Sequence, residues 1–288
     1  MLGGLGVATL GALVAPSCRS QGSPTVTAGP DAALPYRLVA AFPTGIPYVA
    51  AGAPVRLPFQ VARADGSIVD DLPDPVELSI WRDDRQVGDP VRVRPQTDGT
   101  ASYLPLPATF DEAVDYEVRG RFEDTALVAP VEVVPPAAVA TPLVGAPMPG
   151  SATATEERPL EVDPICTLNP QCPWHTVSLD AALGSSAPVA LVIGSDVYCT
   201  DDRCGPSLRS FVAVAGEFPT VTSIHAEPFR NPKLESFPED VSRTEVTEVL
   251  GVDWEPATFF VDRAGVIVAR ADGIVGAEEL RGLDRRIA

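Results

Sequence analysis

Five cysteines and two histidines carry most of the reactive potential of this chain. Cys199 and Cys204 lie in the stretch Tyr198 to Pro206, YCTDDRCGP, with four residues between them. An apolar run precedes this stretch and an amphipathic pattern follows it, so the thiols fall where a loop enters a helix. Unpaired N–H groups and the positive end of a helix stabilise thiolates, and a cysteine so placed can serve as a nucleophile or as a soft metal ligand. Asp201 and Asp202 between the two disfavour a thiolate, while Arg203 and the helix end favour it. A less stable thiolate means a more stable disulfide, so the pair is expected to be more reducing than a strong oxidant.

The second pair, Cys166 and Cys172, lies in VDPICTLNPQCPW, residues 162 to 174. Its prolines exclude a helix, and in an exported protein two thiols so close in a loop are expected to form a structural disulfide. His225 sits at the expected end of a strand and is a candidate third ligand beside Cys199 and Cys204 for copper or another soft metal. Glu227 near it reads as a solvated carboxylate, and His175 beside Trp174 as a surface or loop histidine. Cys18 follows Leu13-Val14-Ala15-Pro16-Ser17, which resembles a bacterial lipoprotein cleavage site, and is a lipidation candidate that could anchor the chain to a membrane. The apolar stretch Leu2 to Ala15 is long enough for the core of a signal peptide, with a basic start expected upstream of Met1. Residues 1–30 are thus read as a signal or anchor segment with a spacer, and the protein as extracytoplasmic, in the cell envelope or secreted.

Other chemistries find no footing. A net charge of −18 and the lack of any Lys/Arg cluster argue against a nucleic-acid partner. No Gly-rich phosphate loop, Ser-His-Asp arrangement or paired catalytic carboxylates can be recognised, so nucleotide binding and hydrolysis lack support.

Two kinds of element must hold these residues. Over residues 31–136 the hydrophobic period is two. Val55, Leu57, Phe59 and Val61 alternate with Arg56, Pro58, Gln60 and Ala62, and Val114, Tyr116, Val118 and Phe122 follow the same rule. Further strand-like runs are Tyr36 to Phe42, Val76 to Trp81, Val91 to Arg94, Ala101 to Leu106 and Thr125 to Val134. Asp65-Gly66 and Asp98-Gly99 mark tight turns. Seven short strands predict an antiparallel, Ig-like sandwich with Tyr116 and Trp81 in its core. It has no cysteine or histidine, and Asp70, Asp71, Asp83 and Asp84 lack the spacing of a calcium loop. Residues 137–160, rich in Pro, Ala, Thr and Gly, read as an extended linker with little to bury.

From 161 to 288 strands and helices alternate. Val177 to Leu183 predicts a short helix, and Pro188 to Ile193 a buried strand. Leu208, Phe211, Val212 and Ala215 give the helix after Cys204 one buried face. Thr220 to Ile224 predicts the next strand. Ser242 with Glu245 forms a capping-box pattern, with Gly251 as the stop. Ala257 to Val261 and Val266 to Ala269 form a hairpin across Asp262 to Gly265. The last helix carries Glu278 and Glu279 early, Arg285 and Arg286 late, and Leu280, Leu283 and Ile287 on its apolar face.

This order, with PVALVIGSDVYCTDDRCGP at 188–206 and EPATFFVDRAGVIVARADG at 255–273, resembles the thioredoxin superfamily. The resemblance covers about residues 175 to 288. It implies an α/β thioredoxin-like domain behind the sandwich, Pro256 as a cis-proline facing the cysteines, and Cys199 and Cys204 as the redox pair. The activity implied is thiol–disulfide exchange, with exported protein thiols or disulfides as partners and no cofactor. The departure is spacing: thioredoxins place two residues between their cysteines, so Cys199 must reach back from its loop if the pair is to close. The wider spacing is similar, at a distance, to Sco-type copper-insertion proteins, which use a remote histidine. Here His225 is the candidate, and copper the alternative cofactor. A third expectation is a non-catalytic cell-envelope binding protein whose cysteines form structural disulfides.

Overall fold

The computed structural model describes residues 34–200 and 202–287. The expectations for residues 1–30, for Cys18 and for Asp201 lie outside the described residues.

Alternation of apolar and polar residues builds a two-sheet sandwich. One sheet has the order β1 (Tyr36–Ala40), β3 (Val55–Arg63), β7 (Ser102–Ala108), β6 (Gln96–Thr97). The other runs β2 (Val49–Ala50), β9 (Thr125–Val134), β8 (Asp115–Phe122), β4 (Val76–Arg82), β5 (Arg85–Val93). Inward residues such as Leu57, Phe59, Leu78, Leu104, Val118 and Leu127 close one core. The seven predicted runs all become strands; β2 and β6, two residues each, are too short for any period to reveal. Tyr116 is buried as expected. Trp81 is not: its ring is only partly covered, with the Arg119 guanidinium 4.4 Å above it. Trp81 has the parity of Glu77 and Ser79, opposite to the buried Val76 and Leu78, so it lies on the outer face of β4, where a cation–π contact replaces the core.

Residues 137–160 are extended, as their composition requires, yet they are pinned. Gly145 N–H donates to Ile267 O and Met148 N–H to Gly265 O, both at 2.8 Å, and Ile267 N–H donates to Ala146 O at 2.9 Å. The segment thereby adds a short edge to a third sheet, that of the α/β part, and Met148 enters that sheet's core. The expectation of little to bury is corrected here, because composition does not register a free sheet edge that offers backbone partners.

This third sheet has the order β11 (Thr222–Ala226), β10 (Val189–Ile193), β12 (Ala257–Val261), β13 (Ile267–Asp272), with β10 parallel to β11 and antiparallel to β12. All five residues of β10 are buried, since helices cover both faces. Val189, Leu191 and Ile193 pack toward α1 (Leu179–Gly184) and α3 (Glu245–Val249), and Ala190 and Val192 toward α2 (Cys204–Ala215) and α4 (Ala277–Asp284). This side-chain alternation explains why β10 reads as a continuous apolar run. The predicted capping box does not form: α3 starts after Thr244, with no side-chain cap, while Gly251 ends it at φ +55°.

Leu34 to Ala288 is one compact unit, and charged residues join the sandwich to the α/β part. Arg56 grips Glu279 with two bonds, at 2.5 and 2.7 Å, and donates to Asp272 O and Ile274 O. Tyr103 Oη donates to Glu279 at 2.8 Å and accepts from Gly276 N–H at 2.7 Å.

Candidate functional site

The end of β10 delivers the chain into a turn, Gly194 to Tyr198, that is organised by one hydroxyl. Ser195 Oγ accepts the N–H of Tyr198 at 3.0 Å and that of Val197 at 3.4 Å. Cys199 follows this turn, and Cys204 opens α2. The two are joined by a disulfide, with their Cα atoms 6.5 Å apart. Cys199 thus reaches back across the four intervening residues. It remains partly exposed, whereas Cys204 is fully buried.

Pro256 lies beside this turn, its peptide bond to Glu255 cis. A Cβ added to Gly194 would stand 3.3 Å from Pro256 Cβ, so the glycine admits the proline ring close to the end of β10. Glu255 brings a carboxyl group within 4.8 Å of both disulfide sulfurs. Its Oε2 accepts the N–H of Ser195 at 2.9 Å. Burial, opposed by the Ser195 bond and reinforced by the charge of Glu227, pushes Glu255 up to about 8. Beside Cys199, Val197 is exposed and Tyr198 meets Phe237 edge-on at 5.7 Å.

The second cysteine pair behaves differently from its sequence expectation. Cys166 and Cys172 are free thiols, with their sulfurs 3.8 Å apart. The structural disulfide expected between them is not formed, because two imidazoles crowd the same space. His225 Nδ1 lies 3.3 Å from Cys172 Sγ and 3.8 Å from Cys166 Sγ, and His175 Nε2 lies 3.3 Å from Cys172 Sγ. His175, expected on a surface or loop, is 1 % exposed, and His225, inside β11 at the level of Val192, is wholly buried. His225 therefore does not join Cys199 and Cys204 as a third ligand; among the described residues the potential ligand beside that pair is Glu255.

Electrostatics in this cluster are dominated by sulfur. The hydrogen bond shared with Cys172 draws the Cys166 thiol far below its ordinary value, and the same bond, with burial, pushes Cys172 up. Burial pushes His225 down, but the Cys166 sulfur and the Glu227 carboxylate outweigh it, so its pKa is raised. Glu227, read as solvated, is 4 % exposed, and burial raises its pKa. It accepts the backbone N–H and the hydroxyl of Thr167, both at 2.7 Å.

No protein-family model and no curated protein matches the chain. Solved structures do. The titin Ig tandem domains A164-A165 match at 15 % identity over 35 % of this chain and 49 % of that one, with a TM-score of 0.22. Bovine butyrophilin matches at 15 % over 35 % and 54 %, TM-score 0.23. The complex of titin M10 with the obscurin-like 1 Ig domain matches at 22 % over 30 % and 80 %, TM-score 0.18. The chain spans about half the length of the first two. Likenesses this weak carry no functional argument, and the site must be read from its own chemistry.

The structure joins Cys199 to Cys204, as their spacing allows, and puts beside them Glu255, which no sequence signal marks; the four-residue cluster is likewise not foreseen. A signal for the cluster existed: His175 follows Cys172 by three residues, giving Cys-x5-Cys-x2-His within one loop. His225 carries no such local mark.

Proposed function

We propose that this chain is an exported thiol–disulfide oxidoreductase of thioredoxin-like build, acting on the thiols or disulfides of other exported proteins through Cys199 and Cys204. The observation that carries the reading is the Cys199–Cys204 disulfide at the start of α2, with Cys199 partly exposed, Cys204 buried and the Glu255 carboxyl within 4.8 Å of both sulfurs. An exchange centre needs that asymmetry, because an outside sulfur must reach one member of the pair only.

In the reducing direction the Cys199 thiolate attacks a partner disulfide. A mixed disulfide forms, and one partner thiolate leaves and takes up a proton. Cys204 then loses its proton to solvent and attacks Cys199 Sγ, which releases the second partner thiolate and restores the Cys199–Cys204 bond. The partner gains two electrons and the protein loses two, and the reverse sequence oxidises a partner dithiol. The apolar surface of Val197, Tyr198 and Phe237 offers an unfolded or extended partner a place to rest.

The test is reduction of a disulfide substrate such as insulin by the chemically reduced protein. Wild type is expected to turn over, Cys199→Ser to lose activity, and Cys204→Ser to accumulate the mixed disulfide that wild type resolves. Equal activity in wild type and both variants ends the reading. Equilibration against glutathione measures the potential, and a value as high as that of a strong periplasmic oxidant would contradict the reducing character argued from Asp202 and its neighbours.

A further inference from the structure

The redox reading leaves Cys166, Cys172, His175 and His225 unused, although all four are between 0 and 8 % exposed. Two thiols and two imidazoles buried together offer one another poor hydrogen bonding, and buried polar groups normally find strong partners. Their ligand atoms all lie within 4.8 Å of one another.

The spacing is that of a tetrahedron. Zinc–sulfur bonds of about 2.3 Å at the tetrahedral angle put two sulfurs about 3.8 Å apart, and zinc–nitrogen bonds of about 2.0–2.1 Å put nitrogen and sulfur about 3.5 Å apart. The sulfurs here are 3.8 Å apart, and the nitrogen–sulfur separations are 3.3, 3.3 and 3.8 Å. Outside the tetrahedron, His225 Nε2–H donates to Gly194 O at 2.9 Å. That bond fixes the tautomer that leaves Nδ1 free to bind a metal.

We propose that Cys166, Cys172, His175 and His225 bind one zinc ion in a closed, structural site. Four protein ligands leave no open position for water or substrate, which separates a structural zinc from a catalytic one. The ion clips the loop around Pro164, Pro170 and Pro173, which has no regular secondary structure, to strand β11 through His225. Soft thiolate ligands would equally accept copper(I), but two imidazoles in a closed tetrahedron favour zinc.

The test is metal analysis of the full chain purified without chelator, together with cobalt(II) replacement. One zinc per chain is expected. The cobalt form should show thiolate-to-metal charge transfer and the intense visible bands of tetrahedral coordination. The Cys199→Ser/Cys204→Ser double variant should keep its full equivalent of zinc, while Cys172→Ser and His225→Ala should each fall below about a tenth of an equivalent. Because those last variants could also unfold, the cobalt spectrum of the wild type and the double variant decides independently of them. Three results overturn the proposal: a Cys166–Cys172 disulfide in non-reduced peptide maps of the metal-free native protein, copper in place of zinc, or metal lost from the Cys199/Cys204 double variant. Disulfide exchange is measured on the same proteins, so failure of the zinc site and failure of the redox reading are told apart.

Discussion

Replacing Glu255 with Gln tests the carboxyl beside the disulfide through the pH dependence of folding. In the folded protein its pKa rises from 4.5 to about 8. The folded state therefore holds a proton that the unfolded chain releases. Stability from this group is fully present below the unfolded value, declines as pH rises between the two, and is lost once pH passes about 8. At about 1.4 kcal/mol per pH unit the whole window is worth at most about 5 kcal/mol. Glu255 is not wholly enclosed, so solvent screening reduces that ceiling, and about 2–3 kcal/mol is the working expectation. The amide oxygen of Gln can still accept the Ser195 N–H, so the substitution removes the titration and keeps the contact. Urea unfolding of the oxidised protein at about pH 5, 7 and 9 gives the slope. Wild type should lose stability across the series and Glu255→Gln should lose markedly less. Parallel curves for the two proteins would refute the assignment of a buried neutral carboxyl at this position.

Two further substitutions probe the junction between the sandwich and the α/β part. Arg56→Ala leaves Glu279 without its two-bond partner where both side chains are little exposed, 10 % and 15 %, and should cost about 3–5 kcal/mol in urea unfolding; a loss within the error of the method would show the pair to be incidental. Gly276→Ala would place a Cβ 1.9 Å from Thr97 O, a backbone atom that cannot turn aside, and should cost about 1–3 kcal/mol. An unchanged thermal midpoint would mean that α4 does not approach β6 this closely.

What was legible in the sequence follows from how local each signal is. The sandwich strands announced themselves because every second residue answers to one core. The fully buried β10 did so because both of its faces are covered, as the packing of Leu191 and Val192 on opposite layers shows. The apolar run before Cys199 and the Leu208–Phe211–Ala215 face after Cys204 are enough to place the two thiols at a helix start. The edge formed by residues 145–148 was hidden, since its partners are backbone atoms of Gly265 and Ile267 far along the chain. Cys166 and Cys172 were misread for a related reason. In one dimension two nearby cysteines have only each other, and their competitors arrive by folding: His225 comes from a strand more than fifty residues on, brought into place by the parallel pairing of β10 with β11.

The two cysteine pairs are not independent: His225 donates to Gly194 O at the start of the turn before Cys199, and Thr167 makes a second, wider link. Thr167, next to Cys166, bonds Glu227 by its N–H and its hydroxyl, lies 3.0 Å from Ser195 Oγ, and accepts the N–H of Asp196 at 2.8 Å. Ser195 in turn holds the N–H groups of Val197 and Tyr198, and its own N–H holds Glu255. Any restraint on Cys166 is thus passed through Thr167 to the turn that presents Cys199 and to the carboxyl beside Cys204. A zinc ion at the buried cluster would stiffen the redox loop without touching it. Thr167→Val separates this coupling from the zinc site itself, because it removes the hydroxyl and leaves all four metal ligands in place. The variant should retain its zinc equivalent and show a faster reaction of the Cys199–Cys204 disulfide with dithiothreitol, roughly severalfold, as the turn loosens by the loss of about 1 kcal/mol of hydrogen bonding. Retained zinc with an unchanged reduction rate would show that Thr167 passes no restraint between the two sites.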